Sequence, residues 1–236
     1  MAGVRWALGL GLAALLAGVP FVFFRAIYAY EKRLREVDPG RFYRSGEMTA
    51  QGLSDAVHRF GLHAIINVQD DVPDPQLNMS FFNHHTIAES ELCRQLGVRF
   101  IMLSPDTLPR SEVPEHRPAV IDQFLALMDD PKTYPALIHC KAGLHRTGCL
   151  TAVYRMEYMH WTRYEALEDL RANGFGTFVS TTANDYILDY IVSYRPRTAT
   201  GEKKASAPPS SGRRLGSLPG LTGWPPSLPI RRLGVD

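Results

Sequence analysis

The sequence predicts an α/β fold: a mostly parallel central sheet flanked by helices, preceded by one transmembrane-length apolar helix. Three observations predict it. Between residues 41 and 195, short apolar runs of strand length alternate with segments of helical period, the pattern of a parallel sheet with helical crossovers. A strand-like run, Ala136-Leu137-Ile138, passes through a glycine-containing loop into a helical repeat, with Leu150, Val153, Tyr154 and Tyr158 at i, i+3, i+4 and i+8. Residues 6–24 carry no charge.

The uncharged stretch comes first in the chain. Its nineteen residues, Trp6 to Phe24, lie between Arg5 and Arg25. As a helix they span about 28 Å, close to the roughly 30 Å hydrocarbon core of a bilayer. Tyr28 and Tyr30 suit the membrane interface. A cleaved signal peptide usually has a shorter apolar region, roughly 7–15 residues, and a small-x-small cleavage site. Residues 1–38 therefore read as a single-pass membrane anchor with its juxtamembrane segment; a cleaved signal and a buried helix are the alternatives. Arg25, Lys32, Arg33, Arg35, Arg41 and Arg44 follow the span and only Arg5 precedes it. The positive-inside rule then places the folded domain in the cytoplasm.

The folded domain is expected over residues 39–195. Arg41 to Arg44 reads as a short strand ending in Ser45-Gly46. Thr49 is a helix N-cap; Leu53, Ala56, Val57 and Phe60 line one face of that helix, and Gly61 ends it. His63 to Val68 is a strand, followed by an acidic, proline-containing loop from Asp70 to Pro75 and a short helix ending at Gly97. Val98 to Leu103 is the next strand, and Ser104-Pro105-Asp106 opens a loop. Pro118 suits the first turn of a helix whose apolar side is Val120, Ile121, Phe124, Leu125 and Met128. After the loop that follows Ile138, Thr162 and Glu165 form a capping box, with Leu167 and Leu170 facing inward until Gly174. Thr181 or Thr182 starts a last helix that buries Ile187, Leu188, Ile191 and Val192. Residues 196–236 are rich in Pro, Gly, Ser and paired basic residues, a composition that cannot bury enough apolar surface to order itself; they are expected to be a disordered tail.

Composition removes several function classes. The formal charge is only +2, much of the excess lying in the tail, so nothing points to nucleic acid. Three cysteines, Cys93, Cys140 and Cys149, make no disulfide framework and suit a reducing compartment. There is no C-x-x-C pair to suggest structural zinc, and no metal or other cofactor is expected.

The chemistry concentrates in His139-Cys140-Lys141-Ala142-Gly143-Leu144-His145-Arg146-Thr147-Gly148. A loop between strand and helix aims several backbone N–H groups at one point and adds the positive end of a helix dipole, so it suits an anion. A guanidinium, loop amides and a helix N-terminus all favour the thiolate of Cys140. Arg146 presents a planar fork that binds two phosphoryl oxygens at once. Gly143 and Gly148 allow close backbone approach. The nucleotide-binding spacing G-x-x-x-x-G-K-[ST] fails, because Cys149 and Leu150 occupy the Lys and Ser/Thr places. The reaction implied is attack of the Cys140 thiolate on phosphorus, then hydrolysis of a phosphocysteine.

Cys140 to Arg146 resembles the C-x5-R signature of the cysteine-dependent protein tyrosine phosphatase superfamily, with His before the cysteine and Thr after the arginine. The 155-residue span from Arg41 to Arg195 is similar to the dual-specificity branch. Phe42-Tyr43-Arg44-Ser45-Gly46 and the Lys and His inside the loop look like the atypical bacterial, plant and fungal members. The resemblance implies that Cys140 is the nucleophile, that Arg146 binds phosphate within a loop of Lys141, Ala142, Gly143, Leu144 and His145, and that the Thr147 hydroxyl assists breakdown of the intermediate. It also implies a general-acid aspartate thirty or more residues before the cysteine. Asp106, 34 residues before it, is the choice, with Asp70, Asp71 and Asp74 as competitors. Asp122 is expected to face solvent. Lys141-Ala142-Gly143 is similar to the loop of tensin-like lipid phosphatases, although Leu144 stands where those carry a second lysine. His145 is similar to plant and fungal members that handle inositol pyrophosphates as well as phosphotyrosine.

The expected activity is that of a membrane-anchored phosphomonoesterase, with phosphorylated proteins as leading substrates and inositol phosphates or phosphoinositides as the alternative. Two other classes remain: a phosphate-binding module without turnover, and a redox or sulfur-transfer enzyme that pairs Cys140 with Cys149.

Overall fold

Strand β1 (Arg35–Asp38) opens a five-stranded sheet, followed by β2 (Phe42–Gly46), β3 (Ala64–Asn67), β6 (Arg99–Met102) and β7 (Ala136–Cys140). A separate two-stranded hairpin contains β4 (Gln76–Asn78) and β5 (Thr86–Ala88). The large sheet has the order β1-β2-β7-β3-β6. Only β1 is antiparallel to its neighbour; β2, β7, β3 and β6 run parallel. The helices are α1 (Ala2–Arg25), α2 (Ala50–Phe60), α3 (Glu89–Leu96), α4 (Ala119–Asp129), α5 (His145–Tyr158), α6 (Arg163–Ala172) and α7 (Tyr186–Ser193). These come from a computed structural model that describes residues 2–25, 30–69, 72–103, 118–176 and 186–197. The described residues belong to one compact unit, Met1–Glu202. The expected tail lies outside them from residue 198 onward.

A parallel sheet covered on both faces needs strands that are apolar on both sides. β7 and β3 satisfy this, every residue of each being buried. Alternate residues serve opposite faces. Phe42, Ile66 and Ile138 face one core, with Phe124 of α4, Tyr154 of α5, Leu170 of α6 and Ile191 of α7. Tyr43, Ile65 and Leu137 face the other, with Leu53 and Val57 of α2 and Leu92 of α3. Phe42 stacks on Tyr154 at 4.5 Å between ring centroids and meets Phe124 at 6.0 Å.

The helix ends follow the expected caps. The Thr49 side chain accepts from Gly52 N, and Gly61 closes α2 in the left-handed region. Thr162 and Glu165 form both halves of a capping box on α6. The helix expected to end at Gly97 does so, with φ of +70°. In α7, Ile187 and Ile191 are buried as expected, but Leu188 is only partly buried and Val192 is half exposed, because α7 turns only one stripe to the core. The expected start of that helix at Thr181 or Thr182 lies outside the described residues.

At the amino-terminal side, the sheet extends ahead of the expected start at residue 39. β1 pairs with β2 through Arg35↔Arg44 and Glu36↔Tyr43. It escaped sequence analysis because its four residues, Arg-Glu-Val-Asp, are three-quarters charged, as an edge strand can be. At the other end, Arg197 still belongs to the unit: its Nε donates to Glu157 Oε1 at 2.7 Å and its Nη1 to Asp129 Oδ2 at 2.6 Å. Helix α1 has a stretch, Gly3–Phe23, long and apolar enough to cross a membrane by length and composition.

This topology puts the end of β7 at the middle of the sheet's C-terminal edge. In α/β sheets that edge is where loops and helix N-termini converge. Cys140 pairs in register with Gly46 of β2, and His139 with Asn67 of β3.

Phe124 is completely buried at the centre of the larger core. Phe124→Ala should lower unfolding free energy by about 3–5 kcal/mol, read from urea denaturation; a loss below about 1 kcal/mol would mean that this face is not packed as described.

Candidate active site

The turn from β7 into α5 folds back over the Cys140 sulfur. Gly143 N donates to Sγ at 3.2 Å. Gly143 has φ of +71°, and a Cβ there would lie 2.5 Å from Gly46 N and 2.6 Å from Ser45 O. Both the backbone conformation and the space against β2 therefore demand glycine. Burial alone would push the Cys140 thiol up. Hydrogen bonds from the Thr147 hydroxyl, the Thr147 N–H and the Gly143 N–H, with the His139 charge, outweigh it and hold the thiol below its ordinary range. Thr147 is fully buried, so its hydroxyl acts on the thiol away from solvent.

Two arginines from the amino-terminal side shape the loop. Arg44 Nη2 donates to Gly143 O at 2.9 Å, and Arg33 Nη1 donates to Ala142 O at 2.7 Å. Each ties a loop carbonyl to a cation, leaving the neighbouring N–H groups to face inward. Burial pulls the Arg44 guanidinium down to about 10; Asp169 and Cys140 oppose that shift, and the group stays charged at neutral pH.

Beneath the sulfur lies a buried polar chain. His139 Nε2 meets Glu89 Oε1 at 2.7 Å, with side-chain exposures of 3% and 1%. Burial disfavours the imidazolium, yet the Glu89 carboxylate more than compensates, so His139 is raised above its ordinary value. Asn67 Nδ2 donates to Glu89 Oε2 at 3.0 Å, Gln69 N donates to Asn67 Oδ1 at 2.8 Å, and Gln69 Nε2 donates to Glu47 Oε2 at 2.9 Å. The sequence marked His139 only as the residue before the cysteine and gave no sign that Glu89, Arg44 and Arg33 serve the loop. A glutamate in the first turn of α3 reads as an ordinary dipole partner until β3 and β7 bring it to His139.

The remaining expected residues divide clearly. Lys141 is exposed at the rim, Ala142 and His145 are half-buried, and Gly143 and Thr147 are buried. Leu144 is 3% exposed, so its position serves the core rather than a ligand. That explains why a lysine is not needed there to complete the loop. The His145 ring meets Phe175 edge-on at 5.3 Å. Burial, then the Arg146 charge, lowers its pKa, so it is a neutral group at neutral pH and not a second cation. Arg146 lies in the first turn of α5, directly after it. Asp106, Asp70 and Asp71 lie outside the described residues. Asp74 accepts from Ser90 N at 2.9 Å and Ser90 Oγ at 2.6 Å, a task at the start of α3. Asp122 is exposed, as expected. Burial pushes the Cys149 thiol up to about 12, which keeps it protonated and unreactive and speaks against a thiol pair with Cys140.

A strand-loop-helix that carries C-x5-R and a sulfur met by loop amides can hold a phosphoryl group against a nucleophile. The family model described as DSP-PTPase phosphatase fused to NAD+ kinase matches residues 20–185. The chain belongs to this family of cysteine-dependent phosphatases. The phosphatase domain is 30% identical over 131 residues to inositol diphosphatase DSP3 of Arabidopsis thaliana, covering 56% of this chain and 57% of that protein. A 42-residue stretch is 45% identical to dual specificity protein phosphatase TpbA of Pseudomonas aeruginosa, 18% of this chain and 19% of the relative. The chain thus spans little more than half the length of the plant relative and a fifth of the bacterial one. Among solved structures, the core catalytic domain of the PP-IP phosphatase SIW14 from S. cerevisiae shares the fold, with a TM-score of 0.52 and 19% identity over 70% of this chain and 86% of that one.

The thiolate is the reactive form of cysteine. Alkylation of Cys140 by iodoacetamide should therefore rise with pH to a plateau, with its midpoint below the roughly 8.5 of free cysteine. Thr147→Val removes a donor to the anion and should move that midpoint to higher pH. An unmoved midpoint would show that the hydroxyl does not act on the sulfur.

Proposed function

We propose that the domain is a phosphohydrolase of phosphorylated inositols, diphosphoinositol phosphates foremost, working through a cysteinyl-phosphate intermediate. The observation that carries the chemistry is the Gly143 N–H directed at the Cys140 sulfur within a C-x5-R loop. The substrate class is supported by the 30% identity to an inositol diphosphatase and by cationic residues that gather around the loop: Arg33, Arg44, Lys141 and Arg146. Inositol phosphates thus move ahead of the phosphoproteins that the sequence ranked first. Phosphotyrosine proteins are the second reading, favoured by the 45% identical stretch shared with TpbA.

In this mechanism the Cys140 thiolate attacks the terminal phosphorus while the bond from phosphorus to the leaving oxygen breaks. Loop N–H groups and Arg146 hold the equatorial oxygens. Asp106 gives its proton to the leaving oxygen when that is an alkoxide or phenoxide. A phosphate leaving group, as in a diphosphate, is weakly basic and depends less on that proton. Water then attacks the phosphocysteine, the S–P bond breaks, and inorganic phosphate departs. The Thr147 hydroxyl stabilises the departing thiolate. Lys141, Ala142, Gly143, Leu144 and His145 form the wall of the phosphate site, with Leu144 contributing only backbone. No cofactor is required. Residues 39–195, preceded by β1 and followed by the anchored Arg197, form the catalytic domain, and the residues beyond it a tail.

We further propose that α1, with residues 6–24 in the bilayer, anchors the domain as a single-pass protein with the catalytic side in the cytoplasm. Its Gly3–Phe23 segment, of mean hydropathy 2.0, supports this, as does the excess of cations after it. The full chain should remain in membranes washed with carbonate, and removal of residues 1–25 should release it; release of the full chain by carbonate would refute the anchor.

Turnover of p-nitrophenyl phosphate, a diphosphoinositol pentakisphosphate and a phosphotyrosine peptide tests the function. Cys140→Ser should lose at least about a thousandfold on all that the parent hydrolyses. Asp106→Asn should lose about a hundredfold on the peptide and less on the diphosphate. Parent-level turnover by Cys140→Ser sinks the mechanism. A parent chain active on the peptide and inert toward the inositol compound sinks the substrate class.

A further inference from the structure

The segment that leads from α1 into the sheet also forms one wall of the catalytic loop. Lys32 and Arg33 both have positive φ, +22° and +62°, where the chain turns back toward β1. Lys32 O accepts from Gly46 N at 2.7 Å, and Arg33 holds Ala142 O. The Lys32 stem lies over Gly46: a Cβ at that glycine would meet Lys32 Cγ and Cδ at 2.9 Å and the Ala142 carbonyl carbon at 3.1 Å. Gly46 stands opposite Cys140 in the β2–β7 register, so the lysine stem passes directly beside the nucleophile's loop.

Lys32 is half-buried there. Burial lowers its pKa, while Glu47 and Cys140 both favour its charge. Yet no described carboxylate pairs with it within 4.0 Å, and the nearby Glu47 is engaged by Gln69. A partly desolvated cation that lacks a direct ion pair is stabilised when an anion arrives. The phosphoryl group in the loop already has the loop amides and Arg146 to receive it. A substrate with phosphates on neighbouring positions brings another anion to the rim, where Lys32 and Lys141 stand.

We propose that Lys32, supplied from outside the phosphatase core by the segment that follows α1, is a specificity residue that receives a second, non-reacting phosphate of the substrate. The proposal rests on the inositol phosphate reading of the same site. It gives the juxtamembrane cations a task in recognition as well as in orientation, and it makes the site incomplete without residues 30–34.

The test uses the full chain and Lys32→Met, which keeps an unbranched stem over Gly46, with Lys32→Arg as the charge-retaining control. The ratio of kcat/KM for diphosphoinositol pentakisphosphate to that for p-nitrophenyl phosphate should fall about tenfold in Lys32→Met, as expected for loss of one charge-assisted contact. The loss should lie mainly in KM, and Lys32→Arg should restore most of it. In parallel, inhibition of p-nitrophenyl phosphate turnover by inositol hexakisphosphate should weaken about tenfold in Lys32→Met. An unchanged ratio with unchanged inhibition overturns the proposal, as does an equal loss on both substrates, which would put Lys32 in charge of the nucleophile or the loop. If the parent does not turn over the inositol compound but is inhibited by inositol hexakisphosphate, the substrate reading fails and the inhibition series alone decides the role of Lys32. A parent that inositol hexakisphosphate does not inhibit overturns the role of Lys32 outright.

Discussion

The constraint on which this site depends is the burial of an anion. Cys140 is 5% exposed, and a thiolate removed from water is unstable unless fixed dipoles and charges replace the solvent. The loop supplies them through the Gly143 N–H, the Thr147 N–H and hydroxyl, and the His139 charge. A peptide unit can turn its N–H inward only if its carbonyl is accommodated outward. Arg33 and Arg44 provide that accommodation at Ala142 and Gly143. The conformation that stabilises the Cys140 thiolate is thus held from behind by cations that bind the loop carbonyls.

The same logic extends below the loop. A protonated His139 beside the sulfur favours the thiolate, but a buried imidazolium needs its own counter-charge. Glu89 provides it, and Asn67 and Gln69 complete the remaining hydrogen bonds of that carboxylate network. A buried ionic chain of this kind adds little to stability over an apolar core, and its value lies in fixing the geometry of the residue it ends on. Here that residue precedes Cys140 on the central strand, whose place is already fixed by β2 on one side and β3 on the other.

Electrostatics also separate the roles of residues that look alike in sequence. His145 and His139 flank the same loop, yet burial and Arg146 lower the first, which leans on Phe175, while Glu89 raises the second. Cys149 and Cys140 are both buried, yet burial without donors raises one thiol to about 12, and donors reverse the effect in the other. The cationic character of the rim consequently comes from Lys141 and from the segment before β1, not from His145.

What the sequence by itself determined are the features with local signatures. The C-x5-R spacing and the apolar span of residues 6–24 belong here, together with the Thr49 and Thr162 caps and the terminal glycines Gly61 and Gly97. Each is read within one turn or one strand. Only the tertiary structure decided that β1 joins the sheet, that Glu89 meets His139, that Leu144 is buried, and that Lys32 and Arg33 stand at the catalytic loop. Arg33 reaches Ala142 across 109 residues, and Arg44 reaches Gly143 across 99. Contacts at that separation leave no period or spacing in the chain, because they arise when parallel strands bring the ends of distant segments to one edge of the sheet. The sequence could therefore single out Cys140, while the groups that stabilise its charge became visible only once the sheet was assembled around it.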